Sequence, residues 1–358
     1  MLRPFSLLVF MAWLAGCAGM APKPFPPGIT YSAFTEIDNS GAKQALSAHG
    51  RHFKRVYLPI LELHGMEEGR KGAFIKVNPL YNSDWKALVK SLPQGVEVIP
   101  VFSNLERSGG GGYDMDLLRI MLTDQRWGAY VRARLLHQVR GMGFRSVAVE
   151  IVGHEESLKA PYTAWFGALA EEARRAGTGC HVVLLRSCGD CVWASHRAQA
   201  KLQDQPALAA KATRTLMLVN ADVLPLAGAT LAPKERDGSP ARPFWESFLS
   251  YLTATFPLER VDLAVQVGGA GGTDAGSFWI DWEQWKEALK DPISGGAQRG
   301  PNKNMLLINS KGMYFFDDVE SHRFEIEAFL AHGIRNICLM SIGREDPALW
   351  KALPKEGE

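Results

Sequence analysis

The sequence predicts an α/β chain folded as one (β/α)8 barrel, a single domain with loop insertions, over residues 28–354. Three observations predict it. Strand-like apolar runs alternate with amphipathic segments along this range, and eight such runs can be assigned. The central run, residues 143–155 (GFRSVAVEIVGHE), is nearly continuous in apolar and β-branched residues, as suits a strand covered on both faces. No convincing nucleotide fingerprint accompanies the pattern, which disfavours an open doubly wound sheet.

Taken in order, residues 28–34 and 55–61 (RVYLPIL) are the first two strands. Residues 84–92 form an amphipathic helix, and 95–102 the third strand. The glycine run 109–112 has no GK[ST] after it and is a loop rather than a phosphate cradle. Residues 117–142 carry apolar side chains at helical spacing with a break near Asp124, and lead into the central run as strand four. Helix 162–176 follows, then strands at 180–185, 213–219 and 260–267. Residues 244–256 are helical, 268–272 (GGAGG) a loop past a strand end, and 304–308 with 313–316 a small hairpin. Helix 321–332 and an eighth strand at 334–341 close the pattern.

Composition bounds the function. A chain of 358 residues with 46% apolar content can bury one large core or two modest ones. Its formal charge of +2 and lack of a basic tract give no nucleic-acid footprint. The N-terminus carries more information. Met1-Leu2-Arg3 supplies a positive start, and residues 4–14 form an apolar core too short to span a bilayer, so 1–16 reads as a removable signal. Leu14-Ala15-Gly16-Cys17 resembles the lipobox of bacterial lipoproteins, which implies lipid on Cys17 and a membrane as partner. By the same resemblance, Ala18 rather than an aspartate after the cysteine favours the outer membrane, facing the periplasm. Residues 17–27 then read as a proline-rich tether. Cys188 and Cys191 have C-x-x-C spacing, but no second pair follows, so a local disulfide or free thiols are expected. No metal or cofactor is expected.

In parallel barrels chemistry sits at the carboxyl ends of the strands. Glu150, His154 and Glu155 fall there on strand four, and Asn220 and Asp222 at the end of strand six. Glu150 and Asp222 could face each other across the mouth as the two carboxylates that glycoside chemistry uses. The plainer alternative is that both are satisfied by hydrogen bonds or by a basic partner such as Arg186. Phe278, Trp279, Trp282 and Trp285 cluster after strand seven, where exposed aromatic faces could stack on sugar rings. Trp282 and Trp285, three apart, could equally be the buried stripe of a helix.

Several segments together resemble the family 18 glycoside hydrolases, the chitinase-like enzymes. They are residues 98–104 (VIPVFSN), Asp116 with Asp124-Gln125-Arg126, Gly143-Phe144, 244–245 with 260–265, and 316–350 ending in GREDPALW. The resemblance implies a (β/α)8 barrel and an amino-sugar polymer as ligand. It also implies an Asp-x-x-Asp-x-Asp-x-Glu run after Gly143-Phe144, whose last residue protonates the glycosidic oxygen. Aligned without gaps, those positions are Arg145, Ala148, Glu150 and Val152, and the acid falls on Val152. A two-residue deletion instead makes Glu150 the acid, with Ser146 and Ala148 in place of the aspartates. The Met-x-Tyr-Asp of strand six becomes Met217-Leu218-Val219-Asn220, and the tryptophan under the sugar becomes Met340. Two readings follow. One is a lipid-anchored envelope protein that binds or guides a polysaccharide, through Glu155, Asn220, Trp279, Trp282 and Met340, with hydrolysis reduced or lost. Envelope polysaccharide-export proteins are its expected partners. The other is an active hydrolase with Glu150 as general acid.

Overall fold

The computed structural model describes residues 22–65, 72–105, 113–185, 200–219, 245–273, 276–291, 296–299 and 303–354. The signal segment, Cys17, Cys188 and Cys191, and the glycine run 109–112 lie outside the described residues. No helix among the described residues is long and apolar enough to cross a membrane.

Eight parallel strands close into a barrel: β1 (Thr30–Phe34), β2 (Phe53–Gly65), β4 (Glu97–Ser103), β5 (Ser146–Glu150), β6 (Gly179–Leu185), β7 (Arg214–Val219), β8 (Val261–Gln266) and β14 (Asn336–Met340). Each pairs with its neighbour in that order, and β1 pairs with both β14 and β2, so the ring has no edge. Helices α1 (Ser40–His49), α2 (Ser83–Ser91), α3 (Met115–Thr123), α4 (Gln125–Gly141), α5 (Lys159–Arg175), α6 (Gln205–Lys211) and α7 (Trp245–Thr255) lie between the strands. The break expected near Asp124 is real. Its extended backbone ends α3, and its carboxylate then caps α4 by accepting from the backbone of Arg126 and Trp127.

Alternate strand residues divide between two cores. Tyr57, Ile99, Val101, Ala148, Val183, Leu216 and Cys338 fill the lumen, while Val56, Phe102, Val149, Val182 and Leu339 pack under the helices. This is the two-residue period of strands buried on both faces. Cys180 and Cys338 are buried free thiols in different cores.

Two expectations need correction. The stretch 268–272 is not a loop but strand β9 (Gly268–Thr273), and the hairpin at 304–316 belongs to a larger unit. With β10 (Gly276–Ile280), β11 (Gln298–Arg299), β12 (Met305–Asn309) and β13 (Gly312–Asp317), β9 forms a second, antiparallel sheet of five strands. This sheet, with helix α8 (Trp282–Ala288), is inserted between β8 and helix α9 (Val319–Ala331). Glycine occupies β9 because its neighbours press close. A Cβ on Gly269 would lie 2.2 Å from the Phe315 carbonyl oxygen, and one on Gly271 would lie 2.6 Å from the Phe278 ring. The second correction is β3 (Ala73–Val77), which pairs antiparallel with the far half of β2 and lengthens that strand beyond the expected 55–61.

The amino-terminal end of the lumen holds a buried ion cluster. Arg55 grips Asp262 through two bonds of 3.0 and 2.7 Å, and Arg214 adds two at 3.3 and 3.1 Å. Tyr57 donates its hydroxyl proton to Asp262 at 2.7 Å. That proton being committed, Nδ1–H of His181 is the donor in the 3.3 Å contact with the Tyr57 oxygen, which fixes a neutral tautomer. Burial pushes His181 down to about 3; Asp262 opposes this, and Arg214 and Arg55 reinforce it. Burial alone would raise the Asp262 carboxyl, but the charges and hydrogen bonds of Arg55 and Arg214 hold it below the usual range.

The sign of the linkage follows. A histidine whose folded value lies below its unfolded value near 6.5 stabilises the fold above pH 6.5 and progressively less below it. About 2 kcal/mol should be lost by pH 5 from this group. Thermal unfolding followed from pH 7.5 to 4 should show a steep fall below 6.5, and His181→Gln should flatten it. An equally steep fall in the variant would show that another group is responsible.

Candidate functional site at the carboxyl end of the barrel

Strand register places three polar side chains in one row. Glu62 on β2 pairs with Ser103 on β4, and Ser103 pairs with Glu150 on β5. All three face the lumen side. Ser103 shares the parity of Val101, and Glu150 that of Ala148, both lumen residues. Each is buried, at 1%, 1% and 2% exposure.

Glu62 reaches the lumen through an irregularity. Between Pro59 and Leu61 the register with β4 slips by one residue: Pro59 pairs with Val101, but Leu61 pairs with Phe102. The extra residue turns Leu61 outward and Glu62 inward, as a bulge does. Without it, alternation from Tyr57 would send Leu61 into the lumen and Glu62 out. That slip is why sequence reasoning passed over Glu62.

The Glu62 carboxylate is fixed from the β2–β3 side. Asn78, just past β3, donates from Nδ2 to Oε1 at 2.8 Å, and the His64 ring approaches Oε2 at 3.1 Å through Nε2. Asn78 is itself held, since its backbone N–H bonds the Ile60 carbonyl and its Oδ1 accepts from Leu80. A carboxylate whose supports are this well anchored is pre-set in position.

Glu150 is the last residue of β5. Val152, the acid position of the gapless alignment, also belongs to the lumen cluster and is 1% exposed. It lies past the strand end, clamped by the Asn104 amide, which donates to its carbonyl at 2.8 Å and accepts from its N–H at 2.9 Å. Glu150 and Val152 thus share one face, and a valine can neither give nor take a proton.

The other expected site residues are dispersed. Glu155 forms an ion pair with Arg119 on α3, beside the 3.3 Å contact of His154 with Tyr113. Met340 ends β14 between the apolar Phe34 and the buried amide Gln266, across the ring from β5. Trp279 is on β10, at 39% exposure. Trp282, half-buried, and Trp285, buried, pack on Phe316 with ring centroids 5.4 and 5.5 Å away. Asn220 and Asp222 lie outside the described residues, as does Arg186.

No protein-family model matches the chain, and no curated protein matches it. Solved structures do. A class V chitininase from Pseudomonas fluorescens superposes with a TM-score of 0.73 at 15% identity, covering 91% of this chain and 98% of that one. A chitinase from Chromobacterium violaceum gives 0.71 at 14% identity, with coverage of 91% and 98%. The Bacillus megaterium spore cortex-lytic enzyme SleL gives 0.68 at 12% identity, covering 92% of this chain and 75% of that one. At such identities the likeness is one of fold: a chitinase-like (β/α)8 barrel.

Proposed function

We propose that the barrel takes a polysaccharide at its carboxyl mouth, as a lipid-anchored protein of the bacterial envelope that binds or guides the chain. One observation carries this reading. The mouth presents a fixed acidic row, Glu62–Ser103–Glu150, while the position that would carry the family's acid without gaps is Val152. Acceptor groups in a buried mouth suit sugar hydroxyls and amides, and an apolar valine and Met340 weaken the substrate-assisted route. The fold neighbours, named as chitinases and a spore cortex-lytic enzyme, make an amino-sugar polymer the substrate class to try first. The lipid on Cys17, the outer membrane and export-protein partners are part of the same proposal and rest on residues 14–18.

The test uses protein freed of residues 1–17, with polymers of N-acetylglucosamine and galactosamine in affinity electrophoresis. Wild type should be retarded. Glu150→Gln should weaken that retention about tenfold, as expected for losing a charged hydrogen-bond acceptor. Equal mobility with and without every polymer would reject the reading. Separately, Cys17→Ser should move the full chain from the membrane fraction to the soluble fraction of the periplasm. Hydrolysis with Glu150 as acid is the second reading, and the presence of another carboxylate in the same row favours it.

A further inference from the structure

We infer that the inserted sheet carries a sugar site of its own, apart from the barrel mouth: a pocket between α8 and the β12–β13 turn that holds one neutral sugar unit. The chemistry of the pocket gives this ligand class, and the inference rests on the polysaccharide reading only for the sugars to try first.

Strand parity puts the pocket on one face of the sheet. Phe278 and Ile280 of β10 point to the face that α8 covers, where Tyr314 and Phe316 of β13 also lie, while Trp279 points to the other. Helix α8 ends at Ala288, and beside its end this face opens into a cavity of about 250 Å³. That is just under the range of roughly 300–1,000 Å³ typical of larger ligand sites, a space for one small ring.

One wall is aromatic. Phe278 is 41% exposed, and its ring meets that of Tyr314 at 72° with centroids 6.2 Å apart. An exposed ring of this kind offers an apolar face to the C–H side of a pyranose. The other wall is polar. Tyr314 is 7% exposed, and its hydroxyl has no partner among the described residues. Unlike the hydroxyls of Tyr31 and Tyr162, it is not sealed from water. Asp291 accepts from the Ser310 hydroxyl through Oδ2 at 2.5 Å, which leaves Oδ1 as an acceptor. Lys311, whose amine makes no hydrogen bond among the described residues, supplies a donor. Asn309 ties the walls together. Its Nδ2 donates to the Ala288 carbonyl at 3.2 Å, and its Oδ1 accepts from the backbone of Lys311 and Gly312 at 2.8 and 3.1 Å. The site is thus set before a ligand arrives.

Charge selects among ligands. Glu287 and Asp291 stand against Lys290 and Lys311, and the bond from Lys290 holds Glu287 below the usual carboxylate range. A balanced rim gives neither a phosphate nor a metal cation a net field to settle in. A neutral ring with one apolar side and many hydroxyls uses donors and acceptors alike.

The experiment uses the detergent-extracted full chain with N-acetylglucosamine, its oligomers and a galactosamine polymer. Affinity is measured alongside amide hydrogen exchange. Wild type should bind, and the sugar should slow exchange in residues 288–291 and 309–314. Phe278→Ala should weaken that protection about tenfold in sugar concentration. Tyr314→Phe keeps the ring, removes only the hydroxyl and should weaken it about threefold, which keeps the test open if Phe278→Ala does not fold. Protection confined to the barrel strands, or unchanged in both variants, would overturn the pocket and leave the mouth reading standing. Binding lost in the pocket variants but undiminished in Glu150→Gln would uphold the pocket and reject the mouth. No binding of any of these sugars by wild type would end both. Inorganic phosphate and calcium chloride should leave exchange at these amides unchanged, and protection by either would overturn the assignment to a neutral sugar.

Discussion

Asp262→Ala should destabilise the barrel by about 3–5 kcal/mol, because it leaves the buried Arg55 and the half-buried Arg214 without their counter-charge. Asp262 is fully buried and receives five hydrogen bonds, two each from Arg55 and Arg214 and one from Tyr57. Arg55 is 7% exposed, so its guanidinium is largely shut off from water. Removing the carboxylate forfeits the attraction and leaves the desolvation cost of the cations in place. Urea unfolding of wild type and variant checks the figure. Removing the ion pair as a unit, as Arg55→Met with Asp262→Leu, should cost less than the single change, since no uncompensated charge remains on that pair. A loss below about 1 kcal/mol for Asp262→Ala would mean that the cluster contributes little to holding the strands together.

Trp85→Ala should cost a similar amount, about 3–5 kcal/mol, for a different reason. Trp85 lies in the first turn of α2 and is 1% exposed. Its indole N–H donates to the Ile37 carbonyl at 3.1 Å, and Lys43 of α1 sits 5.7 Å from the ring centroid. Truncation would empty a large volume and leave a buried carbonyl unpaired. Trp85→Phe refills most of the space without the donor, so about 1–2 kcal/mol should remain. Melting curves of both variants separate the two contributions. Equal losses in the two would assign the effect to the hydrogen bond rather than to packing.

Much of the barrel was legible because the chain states it locally. Runs such as 98–102 and 182–185 are apolar throughout, and Asp124 stands where a helix must stop and another start. The inserted sheet was harder to read. β9 is built of glycines, which carry no side-chain period, and its strand character comes from the partners that crowd it. The site was half legible. Glu150 could be placed at a strand end, and the structure puts it on the lumen side, but Val152 has the same parity, so alternation alone could not choose between them. Glu62 was illegible, since one extra residue in β2 reverses the side to which every later side chain points. Whether Asp222 approaches Glu150 lies outside the described residues.

The pairing of β1 with β14 has a kinetic consequence. Ser32 and Cys338 meet across that seam, and beside it the Phe25 N–H bonds the Ala352 carbonyl. Contacts between such distant positions make the seam the most non-local pairing in the barrel, and non-local pairing is slow. During synthesis β1 emerges first and must wait for β14 with one flank open. Until then two strand edges, β1 and whichever strand was last made, can pair with another molecule. Refolding from denaturant should therefore become less efficient as protein concentration rises. A circular permutant that joins residues 25 and 352 through a short linker would make the seam local and refold faster.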